Sequence, residues 1–238
     1  NESSNSLSVY SINTTSGALS AIDANGAVTG TQASIATGTK PYAVAIDPTG
    51  QYAYVVNNTT NDVSAYTIDQ TSGALAANGT INAGTNPRSI AIDPTGKFAY
   101  VASADGNIYA YTISGTGALA VNSIPISAGT TPASIAVDPS GKFVYVANAG
   151  SGDVSAYTIS GTGSLTAGGT IGAGGTPLSV NVDPSGQFVY VANLGSNDVS
   201  VYTITGGTGA LVQVNCVASC NVANFLAGAG PTSVTTTQ

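Results

Sequence analysis

The chain has 238 residues, of which 6% are charged: Lys plus Arg total 4 and Asp plus Glu 11, a net charge of −7 with no His, Met or Trp. Soluble domains carry roughly 25% charged residues, so most of the usual catalytic side chains are missing. The absence of any imidazole excludes His-based triads, His metal sites and His general bases, and so few cations exclude nucleic acid and an anionic membrane surface as partners.

The chain opens at Asn1 with no basic and apolar leader pattern, which predicts that a targeting segment has been removed or that the sequence is part of a longer one. Alternation over Leu7 to Ile12 predicts a strand, and Gly17-Ala-Leu19 opens another. From Pro41 onward one unit is written four times, opening at Pro41, Pro87, Pro132 and Pro177 with spacings of 46, 45 and 45 residues. Each copy runs into Asp-Pro-Thr/Ser-Gly, beginning at Asp47, Asp93, Asp138 and Asp183. There Asp bonds its own backbone, Pro fixes φ and Gly accepts φ > 0, so the tetrapeptide predicts a tight turn. An aromatic-x-Tyr-Val strand follows at Tyr52, Phe98, Phe143 and Phe188, then a strand ending in Tyr-Thr-Ile, then one begun by Gly-Ala/Ser-Leu. The apolar residues alternate with the strand period of 2, and a repeat of about 45 residues with four short strands describes one propeller blade.

The first strand of each unit sets small residues (Ser89 and Ala91, Ser134 and Ala136) against branched ones (Ile90 and Ile92, Ile135 and Val137), the composition expected where blades converge on a central channel. Most aromatics fall on repeated positions and are predicted to be core; Tyr42, Tyr109 and Phe225 are off the pattern. Near the C-terminus, Cys216 and Cys220 predict a local disulfide, since no other Cys and no His could complete a metal site. Pro231-Thr-Ser-Val234 repeats the start of a first strand.

These elements predict an all-β chain, a β-propeller of four-stranded antiparallel blades forming a single domain over residues 1–238, with repeat starts near Pro41, Pro87, Pro132, Pro177 and Pro231. Five repeat units are present, four complete and one split between the termini and lacking its second strand. The open blade edge at the two termini offers a route to self-assembly. The face carrying the links between units and the loops between second and third strands is the predicted ligand face, with Lys40, Tyr42, Arg88 and, farther out, Tyr109 as binding candidates. Arg88 stands out, because its counterparts are Tyr42, Ala133, Leu178 and Thr232, and a guanidinium fork suits an anion. Asp62, Asp105, Asp153 and Asp198 on the same face read as four equivalent turn caps. No residue is assigned a catalytic role, and no metal or cofactor is expected.

The stretch Pro132-Ala-Ser-Ile-Ala-Val-Asp-Pro-Ser-Gly-Lys-Phe-Val-Tyr-Val-Ala-Asn148, followed by Asp153-Val-Ser-Ala-Tyr-Thr-Ile159, resembles the bacterial lactonase-like β-propeller family with its Tyr-Val-x-Asn repeats, relatives of six-phosphogluconolactonase. The resemblance implies a propeller, commonly of seven blades, found in secreted and surface proteins as well as in enzymes. In members with lactonase chemistry it implies His, Glu and Arg at the channel mouth; here there is no His, the Glu is Glu2 and the Arg is Arg88. The low charge and the predicted disulfide favour a secreted or cell-surface module, structural, self-assembling or binding, over an enzyme. A lactonase-like hydrolase at the channel mouth is the alternative, and a propeller binding a small ligand or glycan is a second.

Overall fold

A computed structural model describes residues 1–22, 27, 34–214 and 224–236, all of whose regular elements are strands. The four repeats form four antiparallel sheets. Their innermost strands are Pro41–Ile46, Pro87–Ile92, Pro132–Val137 and Pro177–Val182. Second strands Tyr52–Asn57, Phe98–Ser103, Phe143–Asn148 and Phe188–Asn193 pair with them, and third strands Asp62–Ile68, Asn107–Ile113, Asp153–Ile159 and Asp198–Ile204 come next. The outermost strands are Leu75–Asn82 and Leu165–Gly172 in the first and third units. In the second and fourth they are split, as Leu119–Val121 with Ile126–Ser127 and Leu211–Gln213 with Asn224–Leu226.

The Asp-Pro-Thr/Ser-Gly turns close as their chemistry dictates. In the first, Asp47 Oδ1 accepts from Tyr52 N at 2.7 Å and Oδ2 from Thr49 N at 3.0 Å and from the Thr49 hydroxyl, while Gly50 sits at φ 72°. The same bonds recur at Asp93, Asp138 and Asp183.

Apolar layers between consecutive units make up the core. Tyr54, Val56 and Val63 of the first unit pack with Ile90, Val101 and Tyr111 of the second. Equivalent layers join the second unit to the third and the third to the fourth. Two tyrosines per layer point in opposite directions. The hydroxyls of Tyr54, Tyr100 and Tyr145 donate forward to the carbonyls of Gly117, Gly163 and Gly209 in the next unit, each at 3.0 Å. Those of Tyr111, Tyr157 and Tyr202 donate backward to Asn82, Ser127 and Gly172. Innermost strands are linked in turn, Ile135 N donating to Ser89 Oγ and Val180 N to Ser134 Oγ, and past the fourth of them Val234 N donates to Ser179 Oγ, all at 3.2 Å.

The N-terminal residues supply outer strands of a preceding unit. Ser6–Ser8 pairs with Ser34–Ala36 and Tyr10–Ile12 with Leu19–Ala21, and Tyr66 donates backward to Ala36 O at 2.8 Å. At the other end, residues 231–236 form no strand and lie along Pro177–Val182 through Val234 and Thr236. No strand pairing joins the two ends among the described residues. Instead the backward face of the first innermost strand is open: Val44 is 53% and Ile46 61% exposed, whereas Ile90, Ile135 and Val180 at the place of Val44 are buried. Cys216 and Cys220 lie outside the described residues.

Candidate functional site: the mouth of the channel

Every innermost strand begins in the same way. A residue in left-handed conformation precedes the proline, Lys40 (φ 60°), Asn86 (51°), Thr131 (53°) and Thr176 (51°), and its carbonyl accepts an N–H from just beyond the second strand of the same unit. Non-glycine residues occupy this region only when the surroundings hold them there. The residue after the proline is then extruded as a β-bulge: Pro87 faces Ser103 and Ser89 faces Ala102, leaving Arg88 without a partner in the register. The same shift isolates Tyr42, Ala133 and Leu178. A bulge re-aims a side chain and ends the pairing, so the repeat leaves one unpaired residue per unit, different in each, at the start of every innermost strand.

Arg88 is half-buried at this position, and among the described residues its side chain makes no hydrogen bond or ion pair. Tyr42 occupies the corresponding bulge on the neighbouring innermost strand and is exposed. Lys40 is engaged instead with Glu2, Nζ to Oε1 at 3.3 Å. Tyr109 lies farther out: its ring rests on Gly84, where an added Cβ would come within 2.3 Å of it, and its hydroxyl donates to Asp105 Oδ2 at 2.9 Å. Burial, helped by that hydrogen bond and the Asp105 charge, pushes the Tyr109 hydroxyl up to about 12, so it stays a donor at neutral pH.

The four loop aspartates are not equivalent. Asp62, Asp153 and Asp198 open third strands opposite Asn57, Asn148 and Asn193, whose Nδ2 groups donate to them at 2.6, 2.7 and 2.6 Å and also to Ser64, Ser155 and Ser200. Asp105 sits inside a loop one residue shorter, and Asn107 takes the strand position opposite Ser103. The unit that carries the lone arginine therefore also breaks the repeated Asn–Asp–Ser clamp, a signal readable only after alignment with that one-residue gap.

A model of the lactonase family, described as a seven-bladed β-propeller, matches residues 1–129 and 120–225. No curated protein matches the sequence. Among solved structures the chain is similar to a candidate 6-phosphogluconolactonase of Bacteroides fragilis, with 21% identity and TM-score 0.81 over 98% of this chain and 68% of that one. A candidate 6-phosphogluconolactonase of Bacteroides uniformis gives 21% identity, TM-score 0.76 and the same coverage. A periplasmic gluconolactonase of Pseudomonas aeruginosa gives 18% identity and TM-score 0.72 over 94% of this chain and 64% of that one.

These findings correct three expectations. A non-enzymatic structural or binding module, and the leaning against an enzyme, do not stand beside a match to a lactonase family over most of the chain. Charge poverty misled because the repeats use most carboxylates in turns and clamps, so the scarcity describes the scaffold and says little about one variable rim. The expectation of a secreted or cell-surface location is corrected as well: two of the similar structures are described as 6-phosphogluconolactonases and one as a periplasmic gluconolactonase.

Proposed function

The chain belongs to the lactonase family of seven-bladed β-propellers, and from that premise we propose that it is a hydrolase that opens the ring of an acidic sugar lactone at the channel mouth. The observation that carries this reading is the unpaired guanidinium of Arg88, held half-buried on a bulge at the rim. Such a fork binds a carboxylate or phosphate in bidentate fashion. A lactone of the 6-phosphogluconolactone type presents that anion at one end and the ester carbonyl at the other. Holding the phosphate on Arg88 fixes where the carbonyl lies, so that attack by water becomes effectively unimolecular. Water adds to the carbonyl carbon, the ring C–O bond breaks, the ring oxygen takes a proton and the product is the open-chain hydroxy acid. Tyr42, exposed on the adjacent bulge, provides an aromatic wall and a hydroxyl donor beside the same mouth.

The experiment is hydrolysis of 6-phosphogluconolactone followed by proton release, corrected for spontaneous opening, for the chain and for Arg88→Ala. Loss of one charge-assisted bidentate contact is expected to lower kcat/KM by about 10- to 100-fold. Ring opening no faster than the spontaneous rate in the unaltered chain would refute the proposal.

A further inference from the structure

The second unit departs from the repeat in several ways at one place. In the other units a hydroxyl on the loop after the second strand accepts a backbone N–H from the link into the innermost strand: Thr60 from Thr39 at 3.2 Å, Ser151 from Thr130 at 3.1 Å and Ser196 from Gly175 at 2.9 Å. In the second unit a carboxylate does this, Asp105 Oδ2 accepting from Thr85 N at 3.0 Å. Each of these hydroxyls accepts a single backbone N–H, Ser196 also donating to Asp198 Oδ1 at 2.9 Å, whereas Asp105 accepts from four groups: Oδ2 also takes the Tyr109 hydroxyl, and Oδ1 takes Asn107 N and Nδ2 at 3.1 and 3.3 Å. Tyr109 replaces the serine found at Ser64, Ser155 and Ser200, and its ring covers Gly84 at the start of the same link. Ala104 N, next to Asp105, donates to the carbonyl of Asn86, two residues before Arg88.

We infer that Asp105 and Tyr109 are positioning residues for Arg88, welding the link Gly84–Asn86 and the loop at 104–107 into one rigid support for the bulge that presents the guanidinium to the anionic group of the substrate. This rests on the reading of Arg88 as the anion-binding group and adds how its aim is set. The coincidence carries it. In a chain whose units are near copies, the charged support, the aromatic brace and the lone arginine all fall in one unit at one rim. Asp105 is not within ion-pair distance of Arg88, so the guanidinium is left available. A carboxylate receiving several hydrogen bonds also holds its partners more strongly than a neutral hydroxyl does.

The test uses direct binding of 6-phosphogluconate, with inorganic phosphate as the simplest probe, measured by calorimetry on the full chain. Asp105→Ser restores the residue that the third and fourth units carry, so it is expected to fold. Tyr109→Phe keeps the ring on Gly84 and removes only the hydroxyl. Each is expected to weaken 6-phosphogluconate binding roughly three- to tenfold, and neither is expected to weaken what remains in an Arg88→Ala background. In turnover, the loss should appear in KM with kcat nearly unchanged. A merely structural role would lower the melting temperature and leave the affinity of the folded protein intact, or act equally with Arg88 absent; either result overturns the inference, as does absence of anion binding to the unaltered chain. Arg88-dependent binding that responds to Asp105→Ser without any lactone hydrolysis would instead leave the inference standing and refute the hydrolase reading alone.

Discussion

Asp47 and Asp183 show how a side chain in this protein acquires a fixed role. Burial alone would raise each carboxyl, but the hydrogen bonds from Thr49 or Ser185 and from the backbone of the same turn outweigh it and hold both below the ordinary 3.8. A folded-state pKa below the unfolded one means that the unfolded chain binds protons more readily. The stabilisation is therefore complete above the unfolded pKa and is lost as pH falls through the folded one. Melting temperature is expected to be level from pH 7 to about 5 and to drop below about pH 4; a melt unchanged down to about pH 3 would contradict this. These turns were legible because Asp-Pro-Thr/Ser-Gly is local chemistry, complete within a few residues. Asp105 was not, because its loop is one residue shorter and spacing alone assigned it to the wrong partner set. Tyr109 drew notice as an off-pattern aromatic, but its contact with Gly84 joins positions 25 residues apart and no periodicity reports it.

At the scale of the strand, blades are keyed together by aromatic rings lying on glycines. A Cβ on Gly163 would come within 2.2 Å of the Phe98 ring, and Gly117 and Gly209 meet Tyr52 and Phe143 in the same way. Gly163 also holds φ 80°, a conformation that costs any other residue. Gly163→Ala is expected to destabilise by about 2–4 kcal/mol, combining backbone strain with displacement of a packed ring. Gly161→Ala two residues earlier, with open space around the added methyl, is expected to stay within about 0.5 kcal/mol. Urea midpoints of the two variants check the contrast, and equal effects would contradict the keyed packing. The alternation of residues gave the strands and their aromatic positions directly. Which neighbour each tyrosine reaches, forward from the second strand and backward from the third, needed coordinates, because alternation distinguishes two faces without saying what covers them.

Across the whole molecule, layers join each unit to the next, so stability is expected to be graded along the chain as in other repeat architectures. Val101 and Val146 lie fully buried between units, whereas Leu19 in the N-terminal strands is 62% exposed. Native-state hydrogen exchange is expected to protect the amides of Val101 and Val146 far more than those of Leu7 and Leu19; equal protection would show one cooperative body in place of graded layers. The repeat count led to an expectation of five units, one of them split between the termini and lacking its second strand, in a chain that is part of a longer propeller or open to strand addition. The described residues show no pairing between the ends and an open face at Val44 and Ile46, in a family described as seven-bladed. Sequence periodicity fixes what one blade is; the angle between blades, which decides how many close a ring, depends on packing that the repeat does not encode.

The central claim is that this mouth recognises an acidic lactone through Arg88. It is tested most directly by the ratio of kcat/KM for 6-phosphogluconolactone to that for unphosphorylated gluconolactone. The account predicts a ratio of about 10 to 100 in the unaltered chain, collapsing toward unity in Arg88→Ala because only the phosphorylated substrate loses a contact. A ratio that Arg88→Ala leaves unchanged would contradict it.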